Sequence, residues 1–592
     1  MPDIWAEKAE EASTNMNNPE AEVFDFVVIG SGFGGSVAAM RLTEKGYRVL
    51  VLERGKRFRD QDFAKTNLHV HKYLWAPALR CFGIFQITPF RDVWVLHGSG
   101  VGGGSLGYAN VLMQPDEKLF ENPAWKHLAD WKNILLPHFD TARRMQGVVL
   151  NPHLWPSDAV LKEIAAELGT QHTFRPTQVG VLFGENGSPG GEQVPDPYFG
   201  GEGPPRNTCT NCGACMVGCR INAKNTLVKN YLYFAEKWGA VIRPEVEAHD
   251  VRPLTAGQPD GAQYEVAFHS STAWLFKPEI RARARNVVFA AGTLGTLKLL
   301  FKCRDISGSL PKISPRLGDR VRTNSEALMG ATSRNWETDY SKGIAITSMI
   351  MADEVTAVEP VRYPAGSSLL RFLAGPLVEG GGNIPQRFIK TIAKIFTHPV
   401  DFFRTHIMSG WAERTTILLV MQTEDNSIRM RLGRDLFTLY RRTLVSIRDS
   451  IHPIPAKIDI GHWVTRTFAR KIGGTPAGTI NEGLFNTSMT AHILGGCPFG
   501  RDDQEGVVGL DCQVHNYPGL YITDGTIMPA NPGLNPSLTI TALAEYAMSL
   551  IPTKEGTPPY QPLGVTQIGE QHPHPAPSPT NHHEPDPIRV SP

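Results

Sequence analysis

The chain has 592 residues, with 59 Lys and Arg against 58 Asp and Glu, a formal net charge of +1, and 41% hydrophobic residues. This length excludes a single small domain. The balanced charge excludes a broad basic field for nucleic acid, and the apolar content excludes a disordered or fibrous chain. Neutral small-molecule chemistry in a globular α/β protein is the class that remains.

The first twenty residues are polar and acidic, with neither the basic start nor the apolar middle of a secretory leader, and no apolar run approaches a membrane span. The chain therefore reads as cytoplasmic. Residues 24–29 (FDFVVI) form a β-rich run that enters Gly30-Ser31-Gly32-Phe33-Gly34-Gly35, then a helical stretch, then a second β-run, Tyr47 to Leu52, closed by Glu53. Gly30 permits a tight turn, Gly32 lets backbone N–H groups approach a pyrophosphate, and Gly35 lets helix pack on strand. The helix N-terminus favours the phosphate charge, and Glu53 stands where a carboxylate grips ribose hydroxyls. This predicts a dinucleotide site, for NAD or FAD.

Three later segments fit a cofactor that touches the chain from end to end. Residues 96–110 (LHGSGVGGGSLGYAN) form a glycine run along which bare backbone can lie, with Gly98, Gly102, Gly103, Gly104, Ser105 and Asn110 as candidates. Residues 286–295 (NVVFAAGTLG) form a buried-type strand running into Gly292. Residues 518–529 (PGLYITDGTIMP) form another, ending in Asp524-Gly525. Val246 joins this candidate cofactor set.

Cys209, Cys212, Cys215 and Cys219 stand at C-x-x-C-x-x-C-x-x-x-C, a ferredoxin-like spacing with Arg220 in place of the usual proline. Three readings stay open: an iron–sulfur cluster, zinc, or metal-free thiols. Residues 386–396 (QRFIKTIAKIF) put Phe388, Ile389, Ile392, Ile395 and Phe396 on one helical face, with Arg387, Lys390 and Lys394 elsewhere. Such a helix packs on its own core or lies on a bilayer. Residues 553–592 are Pro- and His-rich and read as a disordered tail.

These motifs, with His492 in AHILGGC and Asn535 in NPSLTI, resemble the glucose-methanol-choline family of FAD oxidoreductases, and within it the actinobacterial cholesterol oxidase branch. The likeness runs from about Phe24 to Ile551. It implies an FAD-binding Rossmann-like fold with an interleaved α+β substrate domain: 24–120, 205–300 and 486–552 for FAD, 121–204 and 301–485 for substrate. It implies oxidation of the 3-hydroxyl of a sterol, or of another hydrophobic alcohol, with oxygen or another electron acceptor. Hydride would pass to flavin N5, His492 would handle the proton and Asn535 would orient the oxygen. Double-bond isomerisation, if present, needs a proton-shuttling carboxylate, for which Glu413 is the first candidate and Glu424 the second. Non-covalent FAD is expected, because Leu106-Gly107-Tyr108 carries no histidine for a covalent link and His97 precedes the run. Two rivals stand beside this reading: a dehydrogenase for bulky or long-chain alcohols that relays electrons through the cysteines, and a flavin sensor or carrier without turnover.

Overall fold

The computed structural model describes residues 22–185, 187–378, 384–558 and 563. Most of the expected tail and of the N-terminal extension lies outside these residues.

Two seven-stranded sheets organise the chain. In the first, the apolar strand Val23–Ile29 is buried along nearly its whole length. It lies parallel between Val49–Leu52 and Ile280–Phe289. Strand Val241–Arg243 continues the parallel set beyond Val49–Leu52, and Leu520–Ile522 joins it beside Phe289. An antiparallel pair, Val246–Pro253 and Tyr264–Ser270, completes the sheet. Strands buried on both faces must be apolar throughout, which is why VVI and VLVL precede the two functional turns. Helices Phe33–Glu44 and Ser537–Ser549 cover this sheet, so residues from both ends of the chain share one core.

The second sheet is antiparallel in its central strands. Strand Thr415–Gln422 lies at its centre, between Ala327–Ser333 and Thr356–Val361. Strand Gly474–Thr479 flanks Ala327–Ser333, and Ser348–Met351 flanks Thr356–Val361. Helix Trp131–Met145, expected with the substrate region, instead packs against Ser537–Ser549 in the first core through Trp131, Leu135 and Phe139. Hairpin Ile428–Gly433/Thr443–Arg448 also joins that core through Ile428, Met430 and Leu444.

Candidate active site

The first turn is built to the tolerance of backbone. Gly30 has φ +103°, and a Cβ there would lie 2.2 Å from the Ala290 carbonyl oxygen. A Cβ on Gly34 or Gly35 would stand 2.0 Å from the carbonyl oxygen of Thr523 or Gly30 respectively. Gly103 comes within 2.5 Å of Gly32 by the same measure, so the glycine run lies directly across the turn. Ser105 ties that run down, donating to the Gly102 carbonyl at 2.7 Å and accepting from Leu227 N at 3.1 Å. Phe33 closes the turn edge-on to Tyr108.

Glu53 collects donors from both segments: Ser31 N at 3.1 Å, Ser31 Oγ at 2.7 Å, Gly55 N at 2.8 Å and Gly100 N at 3.4 Å. Val246 N donates to the Glu53 carbonyl at 2.9 Å, which sets the neighbouring strand against the acid. At the far end Asp524 accepts from Thr526 Oγ1 at 2.6 Å and Thr296 Oγ1 at 2.5 Å, and burial raises its pKa. Gly525 is fully enclosed, while Gly292 (φ +73°) opens onto empty space. The Asn110 amide, Ser99 Oγ and Thr523 Oγ1 are buried without hydrogen-bond partners. Orphaned polar groups are costly, so these three, beside open glycine backbone, fit a bound dinucleotide lying across them. His97 is neutral and structural: it meets Thr88 Oγ1 at 2.9 Å, and burial with the nearby Arg54 pushes its pKa to about 3.

The reacting end is assembled by one short segment, Arg322 to Glu326. Arg322 and Leu494 exchange backbone hydrogen bonds of 2.7 and 2.9 Å, and Thr490 Oγ1 donates to the Thr323 carbonyl at 2.9 Å. Asn324 accepts from Gly533 N and donates to the Leu534 carbonyl, at 2.9 and 3.0 Å. Asn324 and Ser325 are left-handed (φ 57° and 42°), and that turn aims Glu326 at the His492 loop. The Glu326 carboxylate meets His492 Nδ1 at 2.8 Å, Thr490 Oγ1 at 3.0 Å and Ala491 N at 3.0 Å. With Nδ1–H given to the carboxylate, Nε2 keeps its lone pair.

The Asn535 amide, 6% exposed, lies against Glu359, and with its nitrogen turned to that carboxylate it donates to both oxygens, at 2.9 and 3.2 Å. Glu359 is wholly buried on Thr356–Val361; burial raises its pKa to about 8, with Glu326 adding to the rise and the Asn535 amide opposing it. Alternation along the strand sets Glu359 between Ala357 and Val361 on one face. The paired strand turns Ile417, Leu419 and Met421 to the same apolar cluster, and Leu534, next to Asn535, joins it. The result is an apolar sheet face that carries the Glu359 carboxylate.

Sequence reasoning did not find Glu326 or Glu359. Glu359 had a signal: it is the one charge within the apolar run TAVEPV. The carboxylate that the structure brings to Asn535 is Glu359 and not Glu413. Glu413 lies within the short helix Trp411–Arg414, where it accepts from Gly366 N at 3.2 Å. Glu424 is solvent-exposed, and Asn531 is engaged in donating to the Glu424 carbonyl at 2.7 Å.

The four cysteines, none in a disulfide, line one cavity beside Lys224. Burial raises the pKa of Cys209, and that of Cys215 to about 11. Among the described residues no three His, Cys, Asp or Glu side chains are gathered so as to hold a metal, so neither the iron–sulfur nor the zinc reading gains support there.

A parallel dinucleotide sheet, with a carboxylate-held imidazole delivered by its carboxyl-terminal segments, defines a dinucleotide-dependent oxidoreductase. A profile described as GMC oxidoreductase matches residues 463–544, and one described as NAD(P)-binding Rossmann-like domain matches 28–73. A cholesterol oxidase of Acinetobacter baumannii is 46% identical over 532 residues, covering 90% of this chain and 95% of that one. One of Mycobacterium tuberculosis H37Rv is 46% identical over 548 residues, covering 91% and 93%. The solved structure of pyridoxine 4-oxidase from Mesorbium loti shares the fold, with a TM-score of 0.57 at 14% identity over 89% of this chain and 98% of that one. The chain belongs to the GMC oxidoreductase family, and it is an FAD-dependent alcohol oxidoreductase.

Proposed function

We propose that the protein oxidises the 3-hydroxyl of a sterol to the ketone, that His492 and Asn535 form the reacting pair, and that FAD is held without a covalent link. The observation that carries this reading is the apolar sheet face of Ala357, Val361, Ile417, Leu419 and Met421, which carries Glu359 and meets Asn535 at its edge. A rigid hydrocarbon with one polar end matches such a surface. The cholesterol oxidases at 46% identity support the same substrate class, and their being named oxidases supports oxygen as the first acceptor to test.

Bound FAD supplies the acceptor for the hydride that leaves the carbinol carbon. His492 Nε2 takes the hydroxyl proton while Glu326 fixes the ring and offsets the developing imidazolium charge. Asn535 cannot titrate; its amide orients the substrate oxygen and holds Glu359. Glu359, with its pKa near working pH, moves a proton between ring carbons and so shifts the double bond into conjugation.

A sterol reaches the enzyme from a bilayer, and helix Ile384–Thr397 is the proposed contact. Its amphipathic pattern faces opposite to a core-packing helix. Arg387 is buried and donates to the Glu482 carbonyl, Thr391 donates to Gly483, and Lys394 to Leu377. Phe388, Ile389 and Phe396 are 51%, 65% and 78% exposed, and Val400 and Phe403 of the following helix Pro399–His406 extend the surface. Among the described residues no helix is long and apolar enough to cross a membrane. An apolar face beside a basic residue, Lys390, suits the headgroup boundary.

The test is anaerobic mixing of the flavin-loaded protein with 3-hydroxysterols and with long-chain aliphatic alcohols, following loss of the oxidised flavin absorbance. Sterols are expected to bleach it. Bleaching by aliphatic alcohols alone would overturn the sterol assignment.

A further inference from the structure

We infer that Lys224 sets the redox balance of the flavin: its buried positive charge, unmatched by any carboxylate, lies behind the glycine run at the reacting end of the dinucleotide site and favours the reduced cofactor. The inference needs bound FAD and does not need the sterol assignment.

The run 96–110 shows which end of the site this is. Gly100 N donates to Glu53, the ribose acid, at 3.4 Å. Further on, Gly103 lies across Gly32 at the pyrophosphate turn. By Val111 and Met113 the chain has entered the apolar cluster of Leu419, Met421 and Leu534, with Ala109 packed against it. Leu106 to Asn110 therefore spans the interval between the phosphate turn and the substrate face. A ring that receives hydride from a substrate on that face must stand in this interval.

Lys224 backs the same interval. Its ammonium donates to the carbonyls of Leu106, Tyr108 and Cys215, at 2.9, 3.1 and 2.8 Å, and stands 4.8 Å from the centre of the Tyr108 ring. Three donors meet three carbonyls, so its hydrogen bonding is complete. Its charge is not matched: the residue is 2% exposed, and among the described residues no carboxylate is hydrogen-bonded to it. The thiol of Cys215 beside it does not offset the charge, because burial holds that thiol protonated with a pKa of about 11. Lys224 itself, lowered by burial to about 8, is cationic at neutral pH. Arg206, also fully buried, adds a second cation held by neutral oxygens, those of Asn222, Asn225 and the Lys224 carbonyl. Burying charge without a counter-charge is costly. A protein that keeps such a charge gains from it where negative charge develops nearby.

Alcohol oxidation supplies that negative charge. The carbinol carbon gives up a hydride, which is two electrons and one proton, and the hydroxyl proton goes to His492, so one net negative charge is left on the flavin. Lys224 meets that charge only after transfer, which makes its effect differential: the reduced state is stabilised and the oxidised state is not. One unit charge acting on another through a layer of backbone, at an effective dielectric of about 20, is worth roughly 10–100-fold in an equilibrium constant.

The experiment is an anaerobic redox titration of the flavin-loaded full chain, comparing wild type with Lys224→Met and with the charge-keeping Lys224→Arg. The Met variant should lower the equilibrium constant for two-electron flavin reduction by roughly 10–100-fold, about 30–60 mV. It should weaken binding of inorganic sulfite to the oxidised flavin by a similar factor, and the Arg variant should retain both properties to within about threefold. An unmoved potential in the Met variant, or an equal fall in both variants, would overturn the inference, because a side chain that only staples the run to the cysteine loop changes flavin content and not potential. Wild type supplies an arm that needs no variant. Its bound flavin should be reduced at a higher potential than free FAD, and a lower potential overturns the inference. No alcohol enters these measurements, so their failure is distinct from failure of the sterol assignment.

Discussion

The dinucleotide sheet and the substrate sheet specify their sites by different means. In the first, function is written in backbone: Gly30, Gly34 and Gly35 sit where no Cβ fits, and the partners they approach are carbonyl groups. In the second, it is written in side chains that meet across long stretches of chain, Glu326 with His492 and Glu359 with Asn535. Backbone constraints leave local motifs, whereas long-range pairings leave almost none. A site of the first kind fails all at once, and a site of the second kind can be tuned one step at a time.

The sharpest test of that contrast is Gly30→Ala. A methyl group at φ +103°, 2.2 Å from the Ala290 oxygen, should cost about 2–5 kcal/mol and yield protein without flavin. Denaturant midpoint and flavin content are the readouts. Next in size, His492→Ala should lower kcat by about 10²–10⁴-fold with flavin content intact. Glu326→Gln should lower it by roughly 10²-fold with KM little changed, because an amide no longer enforces the tautomer. Equal kcat in the Gln variant would remove Glu326 from the mechanism.

A subtler effect concerns Glu359, whose folded pKa of about 8 lies above the ordinary carboxylate value of 4.5. The folded protein holds that proton when the unfolded chain has lost it, so this group's contribution falls as pH rises from about 4.5 to about 8. Glu359→Gln should flatten that decline in a stability profile. In turnover the wild-type isomerisation rate should rise towards pH 8, and the variant should release the unconjugated ketone. The smallest effect belongs to the outward helix. Phe388→Ser with Phe396→Ser should weaken binding to lipid vesicles by about tenfold, roughly 1–2 kcal/mol of lost apolar burial. Turnover of detergent-dispersed sterol should not change.

Much of the first region was legible in the residues alone, because VVIGSGFGG and the acid after VLVL state a strand, a turn and a second strand in contiguous order. His492 and Asn535 were legible through family likeness. Their carboxylate partners were not, since nothing near Glu326 in the sequence refers to a loop 166 residues away. The helix at 384–397 shows the reverse limitation. Its periodicity is plain, yet period alone does not say which face turns inward, and here Arg387 and Thr391 do so while Phe388 and Ile389 do not.

The segment from Arg322 to Glu326 carries a lesson for engineering. It leads into the strand Ala327–Ser333 of the substrate sheet and bonds to the 422–426 turn, yet it also grips the carboxyl-terminal loops that carry His492 and Leu534. A chimera that swaps substrate halves between relatives at the start of that strand would separate the imidazole from its matched acid. Crossover points placed ahead of Arg322, with the 490–494 and 533–535 loops taken from the same parent, would keep the reacting constellation together as one heritable module.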